Sequence, residues 1–330
     1  MNIRKLLGAL AVSVIIPTAA YSQAPKPQMI TLAAAPSVIS LYAVIAGLGS
    51  MIEKEIPGSR VTVVEGGTVS NVLRLTRNQV QMAYSKPGTL YAAQNGTGKP
   101  FEKPNMDALS VAGITSGPLH IAVDARTGIR TFDDIVNKKY PLKITVGSLG
   151  LSSEVFFRQI LEVYGLTYAD IKKWGGDVRL VGTAEGLDSV RNGQVDAITT
   201  PDILPHPGIT QIAQSLNVNL VSISDEVIQK LSDKYGYSRS VIPAGTYRGV
   251  NYDVVTLDDP YIIIAHKDLP EDFIYATTKA FLSADGRKFF DAISTAVSKV
   301  DNKEAFGMLK GTKMHPGAEK YFTELGLTGK

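Results

Sequence analysis

The chain reads as an α/β protein of two lobes with a ligand cleft between them. Three observations predict this. β-Branched runs alternate with helical patterns from residue 29 onward, as mainly parallel sheets require. A strand, a turn of small residues and a helix follow one another twice, around 33–41 and again around 147–154. The 330 residues also exceed what one core usually organises, roughly 100–200 residues.

Taken in order, residues 1–22 read as an export segment. Arg4 and Lys5 precede an uncharged apolar run over 6–20, and Ala20 and Ser22 are the small residues a signal peptidase reads. The run is shorter than the ~20 residues that span a bilayer. The sequence has no cysteine, hence no disulfide and no lipobox thiol for acylation. Together these predict a soluble protein that diffuses freely in a Gram-negative periplasm. After a polar leader, 29–35 reads as a strand and 41–56 as a helix with Leu41, Ile45, Leu48 and Ile52 on one face. Pro57-Gly58 stops it. Strand 60–65, helix 70–78 and strand 81–85 complete a βαβαβ half, and 95–105 reads as a surface loop. Strands 108–114 and 119–123 follow, then a helix start capped by Thr131. The second half has strands 143–146, 177–181, 195–199 and 219–223 with helices 154–163, 184–192 and 209–214. The tail is a strand at 259–265 and helices at 272–281 and 287–297. The expected lobes are 23–125 with 255–330, enclosing 126–254.

Catalytic constellations are not evident. Lys and Arg number 34 against 31 Asp and Glu, a net +3 without the basic stripe nucleic acid needs. His120, His206, His266 and His315 lack metal-ligand spacing and read as surface or turn residues. Nucleophile-elbow, Walker and dinucleotide motifs are missing, so no metal, cofactor or catalytic residue is expected. Asp133/Asp134 and Asp258/Asp259 sit at a helix start and a strand start, where capping and solvation account for them. What recurs is Gly, Ser and Thr at the carboxyl ends of strands, where open α/β sheets bind ligands and helix N-termini attract anions. These edges single out Ser37, Glu65, Gly67, Thr68, Ser85, Lys86, Ser148, Gly150, Ser152 and Ser153. Lys86 and Arg158 are the cations nearest the edges; Glu65 suits an amino group.

Five stretches recur in order in a known family: 63–75 (VVEGGTVSNVLRL), 79–85 (QVQMAYS), 144–153 (ITVGSLGLSS), 192–197 (NGQVDA) and 242–247 (IPAGTY). Over essentially the whole mature length the chain resembles the TAXI-type solute-binding receptors of TRAP transporters. The resemblance implies a two-lobed periplasmic-binding-protein fold, type II-like, that closes on a small organic anion such as an amino acid or dicarboxylate. The receptor would hand this cargo unaltered to a TRAP membrane permease. The resemblance supports Gly67, Thr68, Ser85, Ser148, Ser152 and Ser153 as ligand contacts and adds Tyr42, Thr200 and Pro201. One departure stands out: the family's glycine-rich loop after strand one is replaced by 33–42 (AAAPSVISLY), where Pro36 removes an N–H donor. The alternative is a periplasmic enzyme of the same architecture, with Glu65, Asp202 or His120 as acid and base. The single Trp174 is expected to report closure by fluorescence.

Overall fold

The computed structural model describes residues 24–97, 100–309 and 311–328; the expected export segment 1–22 lies outside them. The first half runs β1 (Met29–Ala33), α1 (Ser40–Glu55), β2 (Arg60–Val64), α2 (Thr68–Thr76), β3 (Met82–Ser85), α3 (Pro87–Asn95) and β4 (Ala108–Thr115). Helix α1 buries Leu41, Ile45, Leu48 and Ile52, the face its spacing marks out. Helix α3 has no counterpart in the sequence reading. Pro87 starts it and Gly96, at φ 68°, ends it in the left-handed region, so its residues read as turn residues although they are its caps.

After β4 the chain crosses over and continues with β5 (Leu119–Asp124), α4 (Phe132–Asn137), β6 (Lys143–Thr145), α5 (Ser152–Val163), α6 (Tyr168–Lys173) and β7 (Asp177–Arg179). Next come α7 (Thr183–Arg191), β8 (Ala197–Pro201), α8 (Pro207–Ser215), β9 (Val218–Leu220), α9 (Asp225–Tyr235) and the antiparallel pair β10 (Ser238–Ile242) and β11 (Val254–Asp258). A second crossing leads to β12 (Tyr261–His266), followed by α10 (Glu271–Leu282), α11 (Ala284–Asp291), α12 (Thr295–Ser298), α13 (Asn302–Gly307) and α14 (Pro316–Glu324). The single helix expected over 287–297 is two, because the chain leaves the helix between α11 and α12.

The two sheets share one plan, with strand orders β2-β1-β3-β12-β4 and β7-β6-β8-β5-β9. In each, three neighbouring strands are parallel and the fourth runs against both its neighbours. That reversed strand is the first after each crossing, β5 arriving from β4 of the first sheet and β12 from the β10–β11 pair. Leu119–Asp124, grouped above with the first lobe, pairs with β8 and β9 in the second. The chain therefore changes sheets at 116–118 and at 259–260. Alternation within a strand does not say which sheet it joins; only pairing does. Apolar clusters bury the first sheet under α1, α10 and α14, and cover the second sheet in two separate groups.

All four histidines are buried, against the surface placement expected above. Two share a device. In His206-Pro207-Gly208 and His315-Pro316-Gly317 the ring Nδ1 accepts the glycine N–H, 3.0 and 3.2 Å away, and caps α8 and α14. Among the described residues no helix is long and apolar enough to cross a membrane.

Candidate functional site

The turns after β1, β2, β6 and β7 converge on a hollow of about 390 Å³, within the usual range of small-molecule sites. Pro36, Ser37 and Val38 come from the first turn, and Glu65 to Gly67 with Ser70 from the second. Ser148 to Leu151 and Gly182 to Ala184 face them from the other sheet. The two halves touch at its edge, where Val69 N–H donates to the Gly150 carbonyl at 3.2 Å.

The second turn explains the G-G-T-x-x-N spacing. Asn71, one turn into α2 and fully buried, accepts from Gly67 N–H at 3.2 Å and donates to the carbonyl of Tyr84 at 3.0 Å, with those of Ala33 and Ala34 at 3.4 Å. It stitches the ends of β1 and β3 to the turn. A Cβ on Gly66 would lie 1.9 Å from the Asn71 Oδ1, so only glycine admits this amide. In the facing turn Gly147 and Gly150 have φ of 85° and 84°, the left-handed region that penalises side chains.

Helices α2, α5 and α7 all begin at the hollow, and none of the three receives a side-chain cap at its first residue. Their N-terminal dipoles make this end of the cleft attractive to anions. The lining contains no Lys or Arg; Glu65 is its one ionisable residue. Its Oε1 accepts the Ser37 N–H at 2.9 Å. The electrostatics are therefore those of main-chain amides facing the Glu65 carboxylate, with the buried Glu154 in the first turn of α5 accepting the Gly150 N–H at 3.4 Å.

Of the residues singled out in the sequence, Ser37, Glu65, Gly67, Ser148 and Gly150 line the hollow. The others lie elsewhere. Thr68 and Ser85 are buried beneath the α2 turn, the Ser85 hydroxyl donating to the Thr68 carbonyl at 3.2 Å. Ser152 and Ser153 are inside the first turn of α5. Tyr42 packs against the first core. Thr200 is buried against His206 and Pro201 ends β8. Lys86 is buried at the second crossing, and Arg158 turns to the Glu154 carboxylate at 2.8 Å. Neither cation faces the hollow.

Sequence reasoning missed Val38, Ser70, Leu151 and the Gly182–Ala184 turn. The last was within reach, since Gly182-Thr183 lies between an expected strand and an expected helix like the other edges. Of the groups that the enzyme reading names, only Glu65 lines the hollow: Asp202 and His120 are fully buried away from the lining, and burial pulls the His120 imidazole down to about 4. Trp174 follows α6 and packs on the second-sheet core outside the lining. Its fluorescence should report unfolding of that half and change little on ligand capture, which a titration read at this residue checks.

Solved structures of the same architecture include the periplasmic binding protein BugD (14% identity, 91% of this chain and 94% of that one, TM-score 0.52). MatC from Rhodopseudomonas palustris with bound malate aligns at 14% identity over 91% and 97%, TM-score 0.54. PhnD1 from Prochlorococcus marinus in complex with methylphosphonate aligns at 14% over 92% and 100%, TM-score 0.52. At these identities the likeness establishes the fold: the two-lobed α/β fold of periplasmic binding proteins. The sequence pattern of the NMT1-like family matches residues 32–326, and the chain belongs to that family.

Proposed function

We propose that this protein is a periplasmic receptor of the TAXI type that captures a small organic anion in the hollow and delivers it unaltered to a TRAP membrane permease. The observation that carries the reading is the convergence of three helix N-termini without side-chain caps, from both lobes, on one hollow. An anionic head held by amides of both lobes favours the closed state over the open one, which is how binding drives closure. The crossings at 116–118 and 259–260 are the hinge of that motion, and they divide the chain into lobes of 24–115 with 261–328 and of 119–258. Malate and methylphosphonate in structures of the same fold are anions of suitable size. Glu65 narrows the choice, because a second acidic group on the cargo beside it is repelled while an ammonium group is attracted. The proposed cargo class is an amino acid or a related monocarboxylate.

Mass spectrometry of the protein purified without added ligand, followed by calorimetry with amino acids, dicarboxylates and phosphonates, tests this. Capture of neutral or cationic solutes alone would refute it, and turnover of the retained compound would favour the enzyme. Glu65→Gln should weaken amino-acid binding by about tenfold, the value of one charge-assisted hydrogen bond, leave monocarboxylates without an amino group unchanged and strengthen dicarboxylates. Equal affinity for every amino acid would exclude Glu65 as the ammonium partner.

A further inference from the structure

Helix α1 begins at the edge of strand one, yet it supplies neither a side-chain cap nor an acidic residue in its first turn. A 16-residue helix with such an end carries unsatisfied N–H groups and a positive dipole terminus. Both are met from the other lobe. Asp202 follows the last residue of β8 and is completely buried. Its Oδ2 accepts the Ser40 N–H at 3.0 Å, and its Oδ1 accepts the Ile203 N–H at 2.8 Å. His206 Nδ1, 3.9 Å from Oδ2, already accepts the Gly208 N–H and offers the carboxylate no proton. The surrounding loops interlock: Ile203 is buried in the first core, and Val38 packs against the second-lobe cluster beside Leu204. Asp202 also lies on the hinge side of the cleft. Its N–H faces the Pro118 carbonyl at 3.4 Å, and the Tyr261 hydroxyl donates to the neighbouring Pro201 carbonyl at 3.1 Å.

We propose that Asp202 is the cap of α1 supplied from across the cleft, a resident anion that fills the strand-one seat and pins the two lobes at the hinge. This goes beyond the ligand reading. It makes Asp202 a positioning residue that keeps the first-turn seat closed to cargo, so that the anionic head is left to α2, α5 and α7. It also accounts for a strand-one turn without the family's glycines: a backbone that meets an internal carboxylate at Ser40 has no need to approach a ligand there.

Both carboxylate oxygens are used, so the test exploits a two-oxygen acceptor. In ligand-free protein, Asp202→Gly should melt about 5 °C lower than wild type, the scale for losing one buried acceptor in a domain of this size. Sodium formate should restore most of that loss in a saturable way, with sodium chloride of equal concentration and formamide failing to do so and wild type unmoved. Asp202→Asn, which has one oxygen and turns an NH₂ toward one of the two donors, should also melt lower and not respond to formate. If Asp202→Gly does not fold, Asp202→Asn decides alone: melting equal to wild type overturns the proposal. So does a formate shift no larger in Asp202→Gly than in wild type. No cargo enters the measurement, so its failure leaves the reading of the hollow standing.

Discussion

Gly67→Val is expected to weaken ligand capture by roughly 100-fold while leaving the protein folded. Gly67 has φ of −155°, extended backbone that any residue adopts, so the substitution adds no backbone strain. The obstacle lies across the cleft, where a Cβ on Gly67 would stand 2.5 Å from Leu151 Cδ2. Alanine can be absorbed by a rotation of that leucine. Valine adds two further carbons and holds the turns apart, which breaks the Val69–Gly150 contact and enlarges the distance the ligand must bridge. The penalty falls only on the closed state. About 3 kcal/mol against closure lowers apparent affinity by roughly 100-fold, whereas separated lobes carry no clash and melt near the wild-type temperature. Calorimetry with the retained cargo and a thermal melt measure the two halves of this expectation. Adding Leu151→Ala to Gly67→Val should recover most of the affinity. Wild-type affinity in Gly67→Val would mean that capture does not require these turns to meet.

Much of the fold follows from local rules. The apolar face of α1, the β-branched strands and the Thr131 cap of α4 are each encoded in a few neighbouring residues, and the elements form there. The capping box at Thr131 and Asp134 is complete. The elements lost to sequence reading have weak local patterns or turn-like caps. Helix α3 hides between Pro87 and Gly96, and the β10–β11 pair lies in a stretch where exposed and buried positions do not alternate cleanly. Sheet membership was the larger gap. Leu119–Asp124 belongs to the second sheet because the chain turns back on crossing and pairs beside β8, a long-range choice that six residues cannot announce.

The hollow was legible where backbone geometry needs particular residues. Gly66 is demanded by Asn71 and Gly150 by its φ, so glycine at strand ends pointed to the turns themselves. Residues near a turn were harder to sort into lining and support. Thr68, Ser152 and Ser153 share the chemistry of the lining but are turned inward, since the first residues of a helix alternate between the cleft and the core over a single turn, and Ser85, the last residue of β3, is covered by the α2 turn. The cations misled for a different reason. Lys86 follows a strand end as a ligand-binding residue would, yet its partners come from the second crossing, far away in sequence.

That buried lysine carries the second large effect: Lys86→Met should destabilise the protein by about 3–5 kcal/mol at pH 8, the usual result of leaving a buried carboxylate, here Asp259, without the nearby cation that offsets it. Lys86 is 1% exposed, and its ammonium meets the Asp259 carbonyl and lies 4.1 Å from the Tyr261 ring centre and 5.3 Å from that of Phe156. Beside it Asp258 ties the two crossings together through the Ser116 hydroxyl and the Gly117 N–H. Burial drives Lys86 and Asp259 toward their neutral forms, lowering the lysine and raising the Asp259 carboxyl to about 7, against the pull of the Lys86 charge. Burial likewise lifts Asp202 to about 6. A carboxyl whose folded value is raised stabilises the fold most below its unfolded value near 4, and that contribution is lost as pH climbs through the folded value. For these two groups wild-type stability therefore declines between pH 4 and 8. Removing the Lys86 charge raises Asp259 further and steepens the decline, so the penalty should be small at pH 4.5 and full at pH 8. Chemical denaturation at the two pH values measures it, and adding Asp259→Asn should recover most of the loss at pH 8. An equal penalty at both pH values, or a double variant no more stable than Lys86→Met, would mean that the lysine holds the hinge by packing against Tyr261 and Phe156 instead of by charge.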